Sequence, residues 1–266
     1  MKRFNTFTVA VASMVFAFTV MSGGVASAVP VITNGLVAAY EFSGNANDVS
    51  GNGNNGVVNG ATLTEDRFGN LDSAYSFDGL DDRISLTNSI VGDPEYSQSV
   101  WFRYQPRPGD PPDILTTGVG RIVLFDDSGD LRLDVHADRV GGATGNPSTS
   151  YKYKANVSIP QNQWTHLVFT AQSDNSVTAY LNGIELVLSP VVVDGGQTGD
   201  TLGSEIGAAW ASPDHHLLGA VDDIYLYNRA LSAAEVQTLY SVIPEPNTAL
   251  LLGIGLTALA VRREKL

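Results

Sequence analysis

Residues 164–186 read WTHLVFTAQSDNSVTAYLNGIEL, and their pattern decides the fold class. Trp164 to Gln172, Val177 to Leu181 and Ile184 to Leu188 are runs rich in β-branched and aromatic residues, with Asn182-Gly183 between the last two. Both residues of that pair tolerate positive φ, so they predict a two-residue type I′ turn closing an antiparallel hairpin. The same kind of run, cut by Gly, Asn, Asp and Pro, recurs at Leu36 to Phe42, Arg83 to Leu86, Ser97 to Gln105 and Arg121 to Phe125. It returns at Leu131 to His136, Tyr151 to Val157 and Asp223 to Asn228. One helix is expected near the end, where Ser232 and Glu235 form a capping box and Val236, Leu239 and Tyr240 supply apolar contacts. No blade-length or coil-length repeat appears, so the pattern predicts an all-β, two-sheet antiparallel sandwich with one short C-terminal helix.

The chain has 266 residues, 43% hydrophobic and 16% charged, enough to bury one core. Residues 1–28 read as a signal peptide: Lys2 and Arg3, an apolar run from Phe7 to Met21, then Ala26-Ser27-Ala28, with cleavage expected after Ala28. The exported chain has no cysteine, so no disulfide supports it. A single domain is expected over 29–241, followed by VIPEPNTALLLGIGLTALAVRREKL at 242–266. Thr248 to Val261 is an apolar segment of 14 residues, roughly 21 Å of helix against a hydrocarbon core of roughly 30 Å. It reads as a short transmembrane segment, with Arg262-Arg263 held on the cytoplasmic side. Removing 1–28 and 243–266 takes five of the 15 basic and two of the 28 acidic residues, leaving 10 against 26. Such a domain repels nucleic acid and anionic membrane surfaces.

Pro244-Glu245-Pro246, the apolar run and Arg262-Arg263 together resemble the PEP-CTERM sorting signal of Gram-negative bacteria. The resemblance implies export by the secretion machinery, recognition by an exosortase, cleavage near Pro244 to Pro246, and delivery to the cell surface or exopolysaccharide matrix. Further phrases resemble the laminin G-like branch of the concanavalin A-like lectin and glucanase superfamily. They are GLVAAYEFSGNANDVSGNGNNGVVNGATL at 35–63, YSFDGLDDRISL at 75–86, residues 164–186, and LGAVDDIYLYNRALSAAEV at 218–236. This second resemblance implies a jelly-roll sandwich with adjacent first and last strands. It also implies a common structural calcium, and specificity carried by the less similar middle, 106–160.

Asn47-Asp48 followed by Ser50-Gly51-Asn52-Gly53-Asn54-Asn55-Gly56 offers the oxygens a hard cation needs, though Asx turns bonding their own backbone read equally from it. The resemblance places Asp222 or Asp223 near this loop, and Asp48, Asn52, Asn54 and Asp222 are taken as the candidate calcium ligands. The doublets Asp81-Asp82 and Asp126-Asp127 are not expected to flank a sugar, because neighbours on a strand point to opposite faces. No H-E-x-x-H, G-x-S-x-G or E-x-D-x-x-E string is present. Among the four histidines, His166 reads as strand packing and His215-His216 as a surface turn. A sugar platform needs an exposed ring beside polar groups. Trp210, Tyr151 and Tyr153 are its candidates, whereas Trp101 and Trp164 read as core. The expected function is a non-catalytic, exported, lectin-like binding or adhesion module contacting carbohydrate. The alternative is a calcium-stabilised matrix protein that binds other proteins.

Overall fold

The computed structural model describes residues 32–86, 95–106, 112–117, 120–125, 130–136, 149–174, 176–194, 204–208 and 215–241. Side chains are described at most of these, though not at 125–136, 149–152 or 191–194. The signal peptide with Ala28, and the tail with Pro244, Glu245, Pro246, Arg262 and Arg263, lie outside them. No helix among the described residues is long and apolar enough to cross a membrane.

Two antiparallel sheets form the sandwich. The first runs β13 (Ile184–Glu185), β12 (Val177–Leu181), β11 (Thr165–Ala171), β6 (Tyr96–Tyr104), β16 (Leu218–Tyr227), β4 (Ala74–Asp78), β3 (Thr62–Thr64). Strand β1 (Leu36–Tyr40) also pairs with β16, so the first and last strands are neighbours. The second sheet runs β14 (Leu188–Asp194), β10 (Thr149–Ser158), β9 (Asp130–His136), β8 (Gly120–Phe125), β7 (Asp113–Thr117), β15 (Glu205–Ile206), β5 (Arg83–Ser85), β2 (Val57–Asn59).

Period-2 alternation fills the space between the sheets. Val100, Phe102 and Tyr104 of β6, Leu167 and Phe169 of β11, and Val221, Ile224 and Leu226 of β16 meet Ile84, Leu115, Ile122, Leu124, Ala155 and Ile206 of the second sheet. Each large apolar side chain so buried contributes about 1.5–3 kcal/mol. The alternate residues of β6, Ser97, Ser99, Trp101 and Arg103, face outward. There the helix α1 (Ala233–Ser241) covers the first sheet, with Val236 and Leu239 packed among Ile32, Ala39, Val168, Tyr180, Tyr225, Tyr227 and Leu231.

The hairpin and the cap form as the sequence predicts. Asn182 and Gly183 take φ 50° and 76°, and Leu181 pairs with Ile184 across the turn. The Gln237 side-chain amide donates to the Gly183 carbonyl, docking the helix on the turn, and a Cβ at Gly183 would press on Gln237 and Tyr240. Glu235 accepts the Ser232 N–H at 2.8 Å and Ser232 Oγ accepts the Glu235 N–H at 3.4 Å. One expected strand divides: Ile184 to Leu188 is β13 of the first sheet and the first residue of β14 in the second. The chain crosses between sheets at Leu186, which packs against the core, and Val187, which is exposed.

Candidate functional site

Polar groups gather on the outer face of the second sheet, around Asp113. The pairing of β7 with β8 shifts register between Asp113 and Leu115, Ile114 and Leu115 both join the core, and Asp113 lies opposite Val123. Arg121 grips the Asp113 carboxylate in a fork, Nε donating to Oδ1 at 2.5 Å and Nη2 to Oδ2 at 2.7 Å. Two parallel charge-assisted bonds of this kind fix direction as well as charge. Asp113 is fully buried, whereas the side chains of Arg121 and His215 keep 19% and 27% of their surface. His215 Nδ1 lies 3.2 Å from Asp113 Oδ2 and 3.0 Å from Arg121 Nη2. A proton on Nδ1 suits the carboxylate and a proton on Nε2 suits the guanidinium, so the ring can change partner by changing tautomer.

The main chain holds this cluster against a loop. Asp113 N–H donates to the His215 carbonyl at 3.2 Å, Gly207 N–H to that of Ile114 at 3.0 Å, and Thr116 Oγ1 to that of Ala208 at 3.3 Å. The chain therefore leaves the sheet at Ala208 and returns at His215, both tied to β7. Trp210 belongs to the segment between them, outside the described residues. Beside Thr116 in register, Glu205 of β15 is buried, with Arg83 Nε 3.5 Å from its Oε1. Burial pushes the Glu205 carboxyl above its ordinary pKa, while Arg83 and then His216 pull it down.

The outer face of the first sheet holds a second ionic cluster. Arg67, from the loop between β3 and β4, reaches Asp222 at 2.6 Å and Asp223 at 2.7 Å, with all three side chains largely buried. Two adjacent carboxylates meet one guanidinium because the β16–β6 register slips between Asp222 and Ile224 and Asp223 takes φ 25°. Phe68 and Trp101 flank the guanidinium at 4.3 and 4.6 Å. Burial raises the pKa of both carboxyls, and Arg67 opposes it. His166 stacks on Trp101 at 4.8 Å and meets Ser99 Oγ through Nε2 at 2.9 Å, a strand-packing residue as expected.

These partners bear on calcium. Asp48 Oδ1 accepts the N–H groups of Ala39 and Ser50, and Oδ2 that of Asn54, each at 2.9 Å. Burial works against ionisation there, but hydrogen bonds from Ser50, Ala39 and Asn54 prevail and hold the Asp48 carboxyl below its usual pKa. Asn52 and Asn54 use their side-chain N–H groups to stitch the loop to Leu36 and Val37 carbonyls. The four candidate ligands thus serve separate arrangements, one an Asx-turn array around Asp48, the other an ion pair at Asp222. A cation would compete with N–H donors at the first and with Arg67 at the second, so this donor set fits calcium poorly. Among the described residues, Asp78, Asp81 and Asp82 offer carboxylate oxygens within 4.8 Å of one another. Asp81 and Asp82 lie in the turn before β5 rather than on a strand, so the expected divergence onto opposite faces does not hold.

A family model described as the concanavalin A-like lectin/glucanases superfamily matches residues 77–237, more than half of the chain. The chain belongs to that superfamily. A second model, the PEP-CTERM protein-sorting motif, matches residues 242–264. No curated protein sequence matches. Among solved structures, domain 4 of AbnA, an extracellular arabinanase from Geobacillus stearothermophilus, in complex with arabinotriose, is 22% identical with a TM-score of 0.58. That match covers 77% of this chain and 98% of that one. The botulinum neurotoxin serotype D binding domain is 15% identical, TM-score 0.55, with 79% of this chain and 52% of that one covered. A Trypanosoma rangeli sialidase in complex with the inhibitor DANA is 21% identical, TM-score 0.53, with 79% and 33% covered. This chain therefore spans about half of the toxin domain and a third of the sialidase. At such identities the likeness is one of fold.

Within this superfamily member the aromatic candidates divide. Tyr153 is half-buried and packs against the core from β10, so its ring is a core contact; of Tyr151 only the strand position is described, next to Val135 and Val192. Trp101 and Trp164, expected in the core, lie on the outward positions of the first sheet and stack against Arg67 and Arg103. The doublet Asp126-Asp127 lies outside the described residues. The sequence reading missed Asp113, Arg121 and Arg67. Arg121 opens an alternating run and its outward register was available, but Asp113 follows a Pro-Pro pair and read as loop. His215, read as a surface turn, is a half-buried member of the cluster.

Proposed function

We propose that this superfamily member is a non-catalytic, exported binding module that contacts carbohydrate at the cell surface or in the extracellular matrix. The contact uses the outer face of its second sheet. The observation that carries the reading is the Asp113–Arg121–His215 cluster beside the two ends of the loop bearing Trp210. Sugar recognition needs fixed, planar polar groups next to an aromatic face, and the fork from Asp113 holds the Arg121 guanidinium in one plane. Hydrolysis is disfavoured by the same geometry: Asp113 is fully buried under its arginine and Glu205 is almost fully buried, so neither carboxyl is open to a glycosidic bond. The sorting motif at 242–264 supports the route. The signal peptide is removed after Ala28, residues 248–261 insert in the membrane, and an exosortase processes the chain near Pro244 to Pro246.

The test is a glycan array probed with the protein, Trp210→Ala and His215→Ala, with circular dichroism to check folding. Domain 4 of the arabinanase was solved in complex with arabinotriose, which makes arabino-oligosaccharides the first probe. Binding that both substitutions weaken in folded protein supports the face. Binding unchanged by either removes it, and release of shortened oligosaccharides on incubation removes the non-catalytic reading. Uniform silence of the array favours a structural role among matrix proteins.

A further inference from the structure

We propose that the polysaccharide bound on the outer face of the second sheet is acidic, its carboxylates lying across two rows of positions on β8, β9 and β10 that are mostly basic. The inference rests on the reading of that face as the binding surface. Register fixes which positions share the face. Leu131 lies between Ala155 and Leu124, both in the core, and Leu133 lies between Tyr153, which packs on the core, and Ile122, which is part of it. The alternate rows therefore lie outward. One is Arg121, Asp134 and Lys152, and the next is Val123, Arg132, Lys154 and Ser189. Arg121, Arg132, Lys152 and Lys154 are four of the ten basic residues left once both end segments are removed, and Asp134 is the one carboxylate in either row.

The second row carries the argument. Arg132 and Lys154 are direct cross-strand neighbours, their Cα positions about 5 Å apart, and no carboxylate shares their row. Like charges set opposite one another destabilise a sheet, and a ligand carboxylate laid across them offsets that repulsion. Lys154 is exposed, and the two rows are about 7 Å apart along the strands, so one extended polysaccharide reaches both. Nearby carboxylates do not cancel the rows: Asp113 is held by Arg121, and Asp130 opens β9 at the end of the sheet. On the first sheet, by contrast, Arg67 is held by Asp222 and Asp223, and Arg229 by Glu235. The acidic excess of the domain does not forbid this ligand. Packed sheets lie about 10 Å apart and the Debye length at physiological ionic strength is about 8 Å, so carboxylates of the first sheet are largely screened here. Duplex DNA carries a charge every 1.7 Å or so, roughly, whereas a polyuronate carries a single charge per sugar ring and meets less of the repulsion.

The test immobilises polygalacturonate, alginate and hyaluronan, each beside its carboxyl-reduced counterpart, together with neutral arabinan, and measures binding of the full-length protein by biolayer interferometry. Lys154→Gln and the double variant Lys152→Gln/Lys154→Gln remove charge from the rows. Arg103→Gln removes one charge from the outer face of the first sheet, where Arg103 stacks on Trp164. Melting temperatures check that each variant folds. The expected result is tighter binding of at least one acidic polymer than of its reduced form, weakened by added salt. Lys154→Gln should lower that affinity about two- to fivefold, as the loss of an exposed ion pair does, the double variant further, and Arg103→Gln not at all. Equal binding of both forms, or binding of the neutral polymers alone, overturns the acidic ligand and leaves the binding face standing where His215→Ala weakens it. Acidic binding that the lysine variants leave unchanged, or that Arg103→Gln weakens as much, overturns the assignment to these rows. No binding to any polymer overturns both the inference and the reading it rests on.

Discussion

Acid should find His166 before it finds the rest of the fold. The ring is 1% exposed, packed beside both Trp101 and Tyr240, with Nε2 on Ser99 Oγ and Nδ1 buried without a hydrogen-bond partner. Burial, and then the Arg67 charge, push its pKa from 6.5 down to about 3. The unfolded chain takes up this proton near pH 6.5 and the folded chain only near 3. Between those values the unfolded state binds more protons and stability falls as pH falls. By about pH 4.5 roughly two units have been crossed, a loss on the order of 3 kcal/mol from this residue. His166→Gln keeps a polar group near Ser99 and cannot charge. It costs about 1–3 kcal/mol at neutral pH through the lost ring stacking, but its stability should decline less steeply with acid. Urea unfolding followed by far-ultraviolet circular dichroism at neutral pH and near pH 4.5, for both proteins, measures the difference. Carboxylate contributions are common to both and cancel. Parallel pH dependences would refute the burial argument.

Arg67→Met leaves Asp222 and Asp223 buried without a cation and should cost about 3–5 kcal/mol; adding Asp222→Asn and Asp223→Asn should return most of it, and a failure to recover in urea melts counts against the ion pair as its origin. Gly183→Ala forces a side chain into φ 76° against Gln237 and Tyr240, and should destabilise by about 1 kcal/mol or more. An unchanged melting temperature would mean the helix is not docked on that turn. Calcium or chelator should leave the melting temperature within about 1–2 °C, because Asp48 and Asp222 are already engaged; a larger rise with calcium would show a site that stabilises the native state by mass action.

The hairpin at Asn182-Gly183, the capping box at Ser232 and Glu235, and most long strands were legible because each is specified by residues close in sequence. The short strands β2, β3 and β15 were not, since two or three residues carry no period and are defined by their neighbours' pairing. Strands β4, β7 and β14 were not read as strands either, and bulges hide the two ionic clusters. Alternation assigns Asp222 and Asp223 to opposite faces, and only the register slip at Asp223 lets Arg67, 155 residues distant in sequence, hold both. The shift at Asp113 similarly turns a carboxylate outward from a stretch that read as loop. Asp113 and Arg121 of the candidate cluster come from the region 106–160, and their partner His215 comes from another loop.

The binding face is tested most directly by hydrogen exchange of the full-length protein with and without exopolysaccharide. The account predicts added protection in 113–123 and 204–217, on β7, β8 and β15 and the flanks of the Trp210 loop, with the first sheet unchanged. Protection confined to the first sheet, or none with polysaccharide demonstrably bound, would contradict it.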